Sequence, residues 1–84
     1  MPSKDEFRWE LLRQLKVEAA RGAPSVLINS GELHRSVGGY PGPNARMPSC
    51  CAAMYHEQRL GDEIVNKPPK GKGASLSIRY RLPR

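Results

Sequence analysis

Near its C-terminal end the chain alternates without a break. Leu76, Ile78, Tyr80 and Leu82 fall on one parity; Ser75, Ser77, Arg79 and Arg81 fall on the other. A period of two over this length is met by an extended strand with one face buried and the other in water. The stretch Asp62-Glu-Ile-Val-Asn66 reads as its partner strand. Lys67-Pro-Pro-Lys-Gly-Lys-Gly73 lies between them, too rich in proline and glycine for regular structure. Residues 62–82 are therefore expected to form a hairpin whose tip carries Lys67, Lys70 and Lys72 and no acid.

A hairpin alone is not stable, so the rest of the chain must cover its apolar face. With 84 residues the chain makes one domain, 1–84, with a single modest core. There are 14 Lys and Arg against 8 Asp and Glu. Residues 1–21 carry a net charge of +1, residues 22–65 carry −1, and residues 66–84 carry +6. The net charge of the protein thus sits in the hairpin, which points to an anionic partner. Cys50 and Cys51 are adjacent; a vicinal disulfide is strained, so free thiols and a cytoplasmic location are expected. The charged N-terminus predicts no signal peptide, and no apolar run is long enough to span a membrane.

Ser3 and Glu6 have capping-box spacing. Phe7, Leu11, Leu12, Leu15 and Ala19 follow at helical spacing, predicting a first helix over 3–21 that Gly22 and Pro24 end. Trp9 is expected to anchor it at the core or its edge. Ser25-Val-Leu-Ile28 reads as a short strand beside the hairpin. Asn29 or Ser30 should cap a short second helix, ended by Gly38-Gly39. Tyr40-Pro-Gly-Pro-Asn44 cannot be helical. Pro48 suits the first turn of a third helix, 48–59. That helix carries one stripe of Met47, Cys51, Met54, Tyr55 and Gln58 and another of Ser49, Cys50, Ala53 and Glu57.

The order helix, strand, helix, turn, helix, strand, basic loop, strand resembles a winged helix-turn-helix DNA-binding domain: an α+β fold of three helices and a small antiparallel sheet. In it, 29–60 is the helix-turn-helix and the 62–82 hairpin carries the wing, 67–73. The turn here, about seven to nine residues, exceeds the three or four of the simplest helix-turn-helix. The turn therefore leaves the angle and depth of the third helix open. The segment SGELHRSVGGYPGPNARMPSCC (30–51), continued by GASLSIRYRLP (73–83), also resembles a group of small, mostly uncharacterised bacterial proteins. Some of these are similar to modules that accompany HNH-type nucleases or restriction systems. The resemblance covers about residues 26–83 and implies a nucleic-acid context.

On this reading the chain is a non-catalytic double-stranded DNA-binding module, a regulator or an accessory of such a system. The start of the third helix would meet base edges through Asn44, Arg46 and Ser49, because Asn and Arg match adenine and guanine with paired hydrogen bonds. Ala53 would allow a close approach. Lys67, Lys70 and Lys72 would hold phosphates, and Arg79 and Arg81 would clamp the flanking backbone. Against this, each cation can also be an ordinary solvated charge.

Other chemistries fit less well. His34, Cys50, Cys51 and His56 are ligand types for zinc, but neither the adjacent cysteines nor the five-residue step from Cys51 to His56 matches a structural zinc site. No metal or other cofactor is expected; the thiols suit the interface of helices two and three. No orienting or oxyanion motif accompanies a Cys–His pair, and Gly38-Gly39-Tyr40-Pro41-Gly42 lacks the Lys-Ser/Thr of a phosphate loop. The alternative is a protein–protein interaction module, using Phe7, Trp9, the first helix and the wing for a homodimer or another partner. RNA binding ranks third, since few aromatics are present for stacking.

Overall fold

The computed structural model describes residues 4–38, 46–69 and 73–82. The expected Ser3 cap lies outside these residues. α1 (Lys4–Ala20) buries Phe7, Leu11 and Leu15, which recur every fourth residue and so share one stripe. It ends in a Schellman turn. Gly22 N–H donates to Ala19 O at 3.0 Å and Ala23 N–H to Glu18 O at 3.1 Å. That turn needs a left-handed residue, and Gly22 supplies it at φ 83°. Trp9 departs from the expectation of a core or edge anchor, because it is 65% exposed. It lies two residues from both Phe7 and Leu11, about 200° around the helix from either. Phe7, in turn, is no partner surface: it is fully buried, its ring edge-on to His34 at 4.7 Å.

β1 (Ser25–Asn29) runs directly into α2 (Ser30–Val37). Asn29 is the cap, its Oδ1 accepting from Glu32 N–H at 3.1 Å. α3 (Met47–Glu57) begins after residues 38–46 with Pro48 in its first turn. β2 (Glu63–Asn66) and β3 (Ser77–Arg81) complete the fold. The sheet is antiparallel throughout in the order β1-β3-β2, so the last strand lies between the other two.

The inward parity of β3 is the expected one. Leu76, Ile78, Tyr80 and Leu82 are buried beneath the helices together with Ile28, Leu33 and the α1 stripe. The ladder, however, starts at Ser77 rather than near residue 74. The carbonyls of Ala74 and Leu76 instead accept from Gly31 N–H (3.3 Å) and Ser30 N–H (2.8 Å) at the start of α2. Asp62 likewise stands just outside β2. Its carboxylate accepts from Arg59 N–H and Arg81 N–H, both at 2.7 Å, and so ties the exit of α3 to the end of β3.

Among the described residues, three helices against a three-stranded antiparallel sheet make this an α+β fold. No helix among the described residues is long and apolar enough to cross a membrane.

Candidate nucleic-acid interface

α3 turns one face inward. Cys50, Cys51, Ala53, Met54 and Glu57 are all buried, and the spacing of 50, 53, 54 and 57 is that of a single helical stripe. Ala53 is therefore corrected: it is fully buried in the core and offers no surface for approach. The outward face is made instead by Pro48, Ser49, Ala52 and His56, with Tyr55 half-buried against the core beside them. Arg46 stands exposed at the start of this helix and Arg59 just beyond its end.

Ser49 belongs to both the expected set and the observed face, whereas Ala52 and His56 were missed. The usable signal was the 50-53-54-57 spacing. Glu57 hid it, since a carboxylate ordinarily marks the wet side of a helix. Here Glu57 is 5% exposed, with Arg59 Nη2 at 3.3 Å from its Oε1.

Two hydrogen bonds, one part-buried and one buried, set the position of α3. His34 Nε2 accepts from Arg46 N–H at 2.8 Å. At the other end, Tyr80 OH donates to Met54 O at 2.8 Å, satisfying one of the last four carbonyls of the helix.

The root of the basic loop is held against the same helix. Gly73 N–H donates to Cys51 Sγ at 3.3 Å, and Cys51 Sγ lies 3.4 Å from Gly73 O. Ser30 Oγ donates to that carbonyl at 2.5 Å. Pro68, on the other limb of the loop, is buried, and a Cβ added at Gly73 would meet its Cβ at 3.3 Å. Both limbs thus close on each other before the chain leaves for the tip. Lys67 and Pro69 are exposed at this root. Asn44, Lys70 and Lys72 lie outside the described residues.

Charge follows the same division. No Asp or Glu occurs between Glu32 and Glu57 or after Glu63. The outer face of α3 and the whole loop are therefore free of acid, while α1 carries four of the acids.

Arg79 and Arg81 are placed differently. Both leave the outer face of β3, opposite the helices. Arg79 Nη1 pairs with Glu63 Oε1 at 2.9 Å across the β2–β3 ladder. The Arg81 side chain packs over Gly61, whose added Cβ would meet its Cδ at 3.0 Å. Arg46, Ser49 and Lys67 thus go with the α3–loop side, and Arg79 and Arg81 with the sheet's outer face.

Of the groups that could ligate a metal, His34, Cys50 and Cys51 are buried in packing, whereas His56 is exposed. Cys50 Sγ donates to Ser30 O at 3.4 Å, and burial, with Cys51 beside it, pushes the Cys50 thiol up to about 12. Among the described residues no three His, Cys, Asp or Glu side chains come together at metal-binding range. No protein-family model, characterised protein or solved structure matches this chain.

Proposed function

We propose that the chain is a winged helix-turn-helix module that binds double-stranded DNA and catalyses nothing, with α3 in the major groove and the 67–73 loop as a wing on the phosphates. The element order and the β1-β3-β2 sheet, whose last two strands bear the loop, support this reading. The observation that carries it is the Cys51–Gly73 junction. It sets the root of the basic loop against α3, a helix whose outer face is free of acid, with Lys67 exposed on the other limb of that root. Ser49, Ala52 and His56 face outward for base edges, with Arg46 at the leading end of the helix. Lys67, Lys70 and Lys72 neutralise phosphates. A cytoplasmic regulator, or an accessory of a restriction or nuclease system, is the setting that suits such a module.

Fluorescence anisotropy on a random-sequence duplex across a salt series tests it. About four to six phosphate contacts give a slope of log K against log salt near −4 to −5. An affinity that ignores salt, or no binding at low salt, overturns the proposal.

A further inference from the structure

We infer that the free edge of β1 pairs, antiparallel, with β1 of a second copy of this chain, so that the two sheets join across a twofold axis at Leu27. β1 and β2 are the outer strands of the sheet. The β1–β3 ladder shows which way each β1 peptide faces. Pro24 O accepts from Leu82 N–H at 2.9 Å, and Ser30 N–H donates to Leu76 O at 2.8 Å. These bonds stand at either end of the register that sets Val26 against Tyr80 and Ile28 against Ile78. Bonded and unbonded pairs alternate along an antiparallel ladder. Val26 and Ile28 therefore bond to β3, while the amides and carbonyls of Ser25, Leu27 and Asn29 point away from it. Asn29, as the cap, gives its carbonyl to α2. The edge keeps Ser25 N–H and O, Leu27 N–H and O, and Asn29 N–H, and among the described residues no backbone group meets them.

The two outer strands differ. β2 has four residues, its register shifts between Ile64 and Asn66, and Lys67, Pro68 and Pro69 follow it. A short bulged strand flanked by lysine and proline is guarded against pairing. β1 is regular over Ser25–Asn29 and contains no charge, proline or glycine. Its Leu27 is 52% exposed on the outer face of the sheet.

The free groups are disposed symmetrically about Leu27, and this selects a second copy. With β1 run antiparallel about that residue, Leu27 N–H donates to the second copy's Leu27 O and Asn29 N–H to the second copy's Ser25 O. The twofold axis repeats each bond. Leu27 meets its copy on the outer face, and Val26 meets the second copy's Ile28 on the inner one. The strand has no charge, so none is set against its like. On the helix side a hollow of about 260 Å³ opens along this edge, with Val17, Val26 and Leu27 in its lining. Arg13 and Glu18 also line it, and each is already paired within α1. One short strand forms the seam, so the dimer is weak and concentration-dependent. It uses no residue of the proposed DNA face.

Sedimentation velocity on the whole chain over a wide concentration range tests the seam, with thermal melting to show that each variant folds. The native chain should rise reversibly toward twice its mass. In hydrogen exchange, the Leu27 and Asn29 amides should slow as concentration rises, while Val26 and Ile28 are protected throughout. Leu27→Lys, which sets two cations against each other at the axis, should weaken association about tenfold or more. Leu27→Glu should do the same, and an equal mixture of the two variants should associate again. A native chain that stays monomeric at every concentration overturns the inference. So does a dimer whose Leu27 amide exchanges as fast as in the monomer, one that Leu27→Lys leaves intact, or a mixture that stays monomeric.

Discussion

His34 Nε2 accepts the backbone N–H of Arg46 at 2.8 Å, so a buried ring on α2 holds the residue that starts α3. Arg46 is the N-cap of that helix, and its side chain makes no capping hydrogen bond. The turn before it is long, and this contact replaces what a short turn would otherwise impose. His34→Phe keeps a ring against Phe7 and removes the acceptor. It should cost about 1–3 kcal/mol in urea unfolding. The Arg46 amide should lose its protection in hydrogen exchange, while amides in the middle of α1 keep theirs.

The root of the basic loop makes a prediction whose sign opposes helix propensity. Gly→Ala inside a helix ordinarily stabilises by about 0.5–1 kcal/mol. A Cβ on Gly31 would meet Asn29 Oδ1 at 3.1 Å and Ala74 O at 3.2 Å, the second being backbone at the root of the loop. Gly31→Ala should therefore destabilise by about 1–3 kcal/mol, as overpacking does. A rise in melting temperature would show that the root yields.

Tyr80→Phe removes one hydroxyl and leaves Met54 O, buried at the end of α3, without its donor. A loss of about 1 kcal/mol is expected, with the same urea m-value as the native chain.

Cys50 gives the fold a sensitivity to alkali. Its ordinary value is 9.0, and burial raises it to about 12 in the folded protein. The raised group binds its proton more tightly when folded, so its contribution is complete below 9 and is lost as pH rises toward 12. Stability should fall over that window, and the fall should be shallower in Cys50→Ala. At pH 8, a thiol reagent should modify Cys50 only as fast as the protein opens.

In the proposed complex, replacing Lys67, Lys70 and Lys72 by Ala should weaken all duplexes alike and flatten the salt slope by about 1 per lysine. Replacing Arg46 or His56 should change which sequences are selected from a random pool. Arg79→Ala should do neither, because that cation is already matched by Glu63.

Much of this was legible along the chain because it depends on neighbours. The inward parity of Leu76, Ile78, Tyr80 and Leu82, a helix cap at Asn29 or Ser30, the Gly22 stop, the place of Pro48 and the basic, acid-free loop are each local matters of period, backbone freedom or charge. The candidate site was legible only in part. Arg46, Ser49 and Lys67 read correctly as exposed or half-exposed, but Ala53 read as surface and Trp9 as a core or edge anchor. Glu57 and Trp9 each occupy the side of a helix opposite to the one their polarity suggests. That choice is made by what packs against the helix.

The sequence by itself determined which segments are helix and strand and where the charge lies, since those follow from contacts within a few residues. Only the tertiary structure decided that β3 runs between β1 and β2, that α2 takes the 74 and 76 carbonyls from the ladder, and that Cys51 holds the root of the loop against α3. The β1–β3 ladder, the α2 bonds to the 74 and 76 carbonyls and the Cys51–Gly73 contact each join residues more than twenty positions apart, and no local period encodes such a pairing. It arises because the buried amides and carbonyls of one segment find partners in another when both close over the same core.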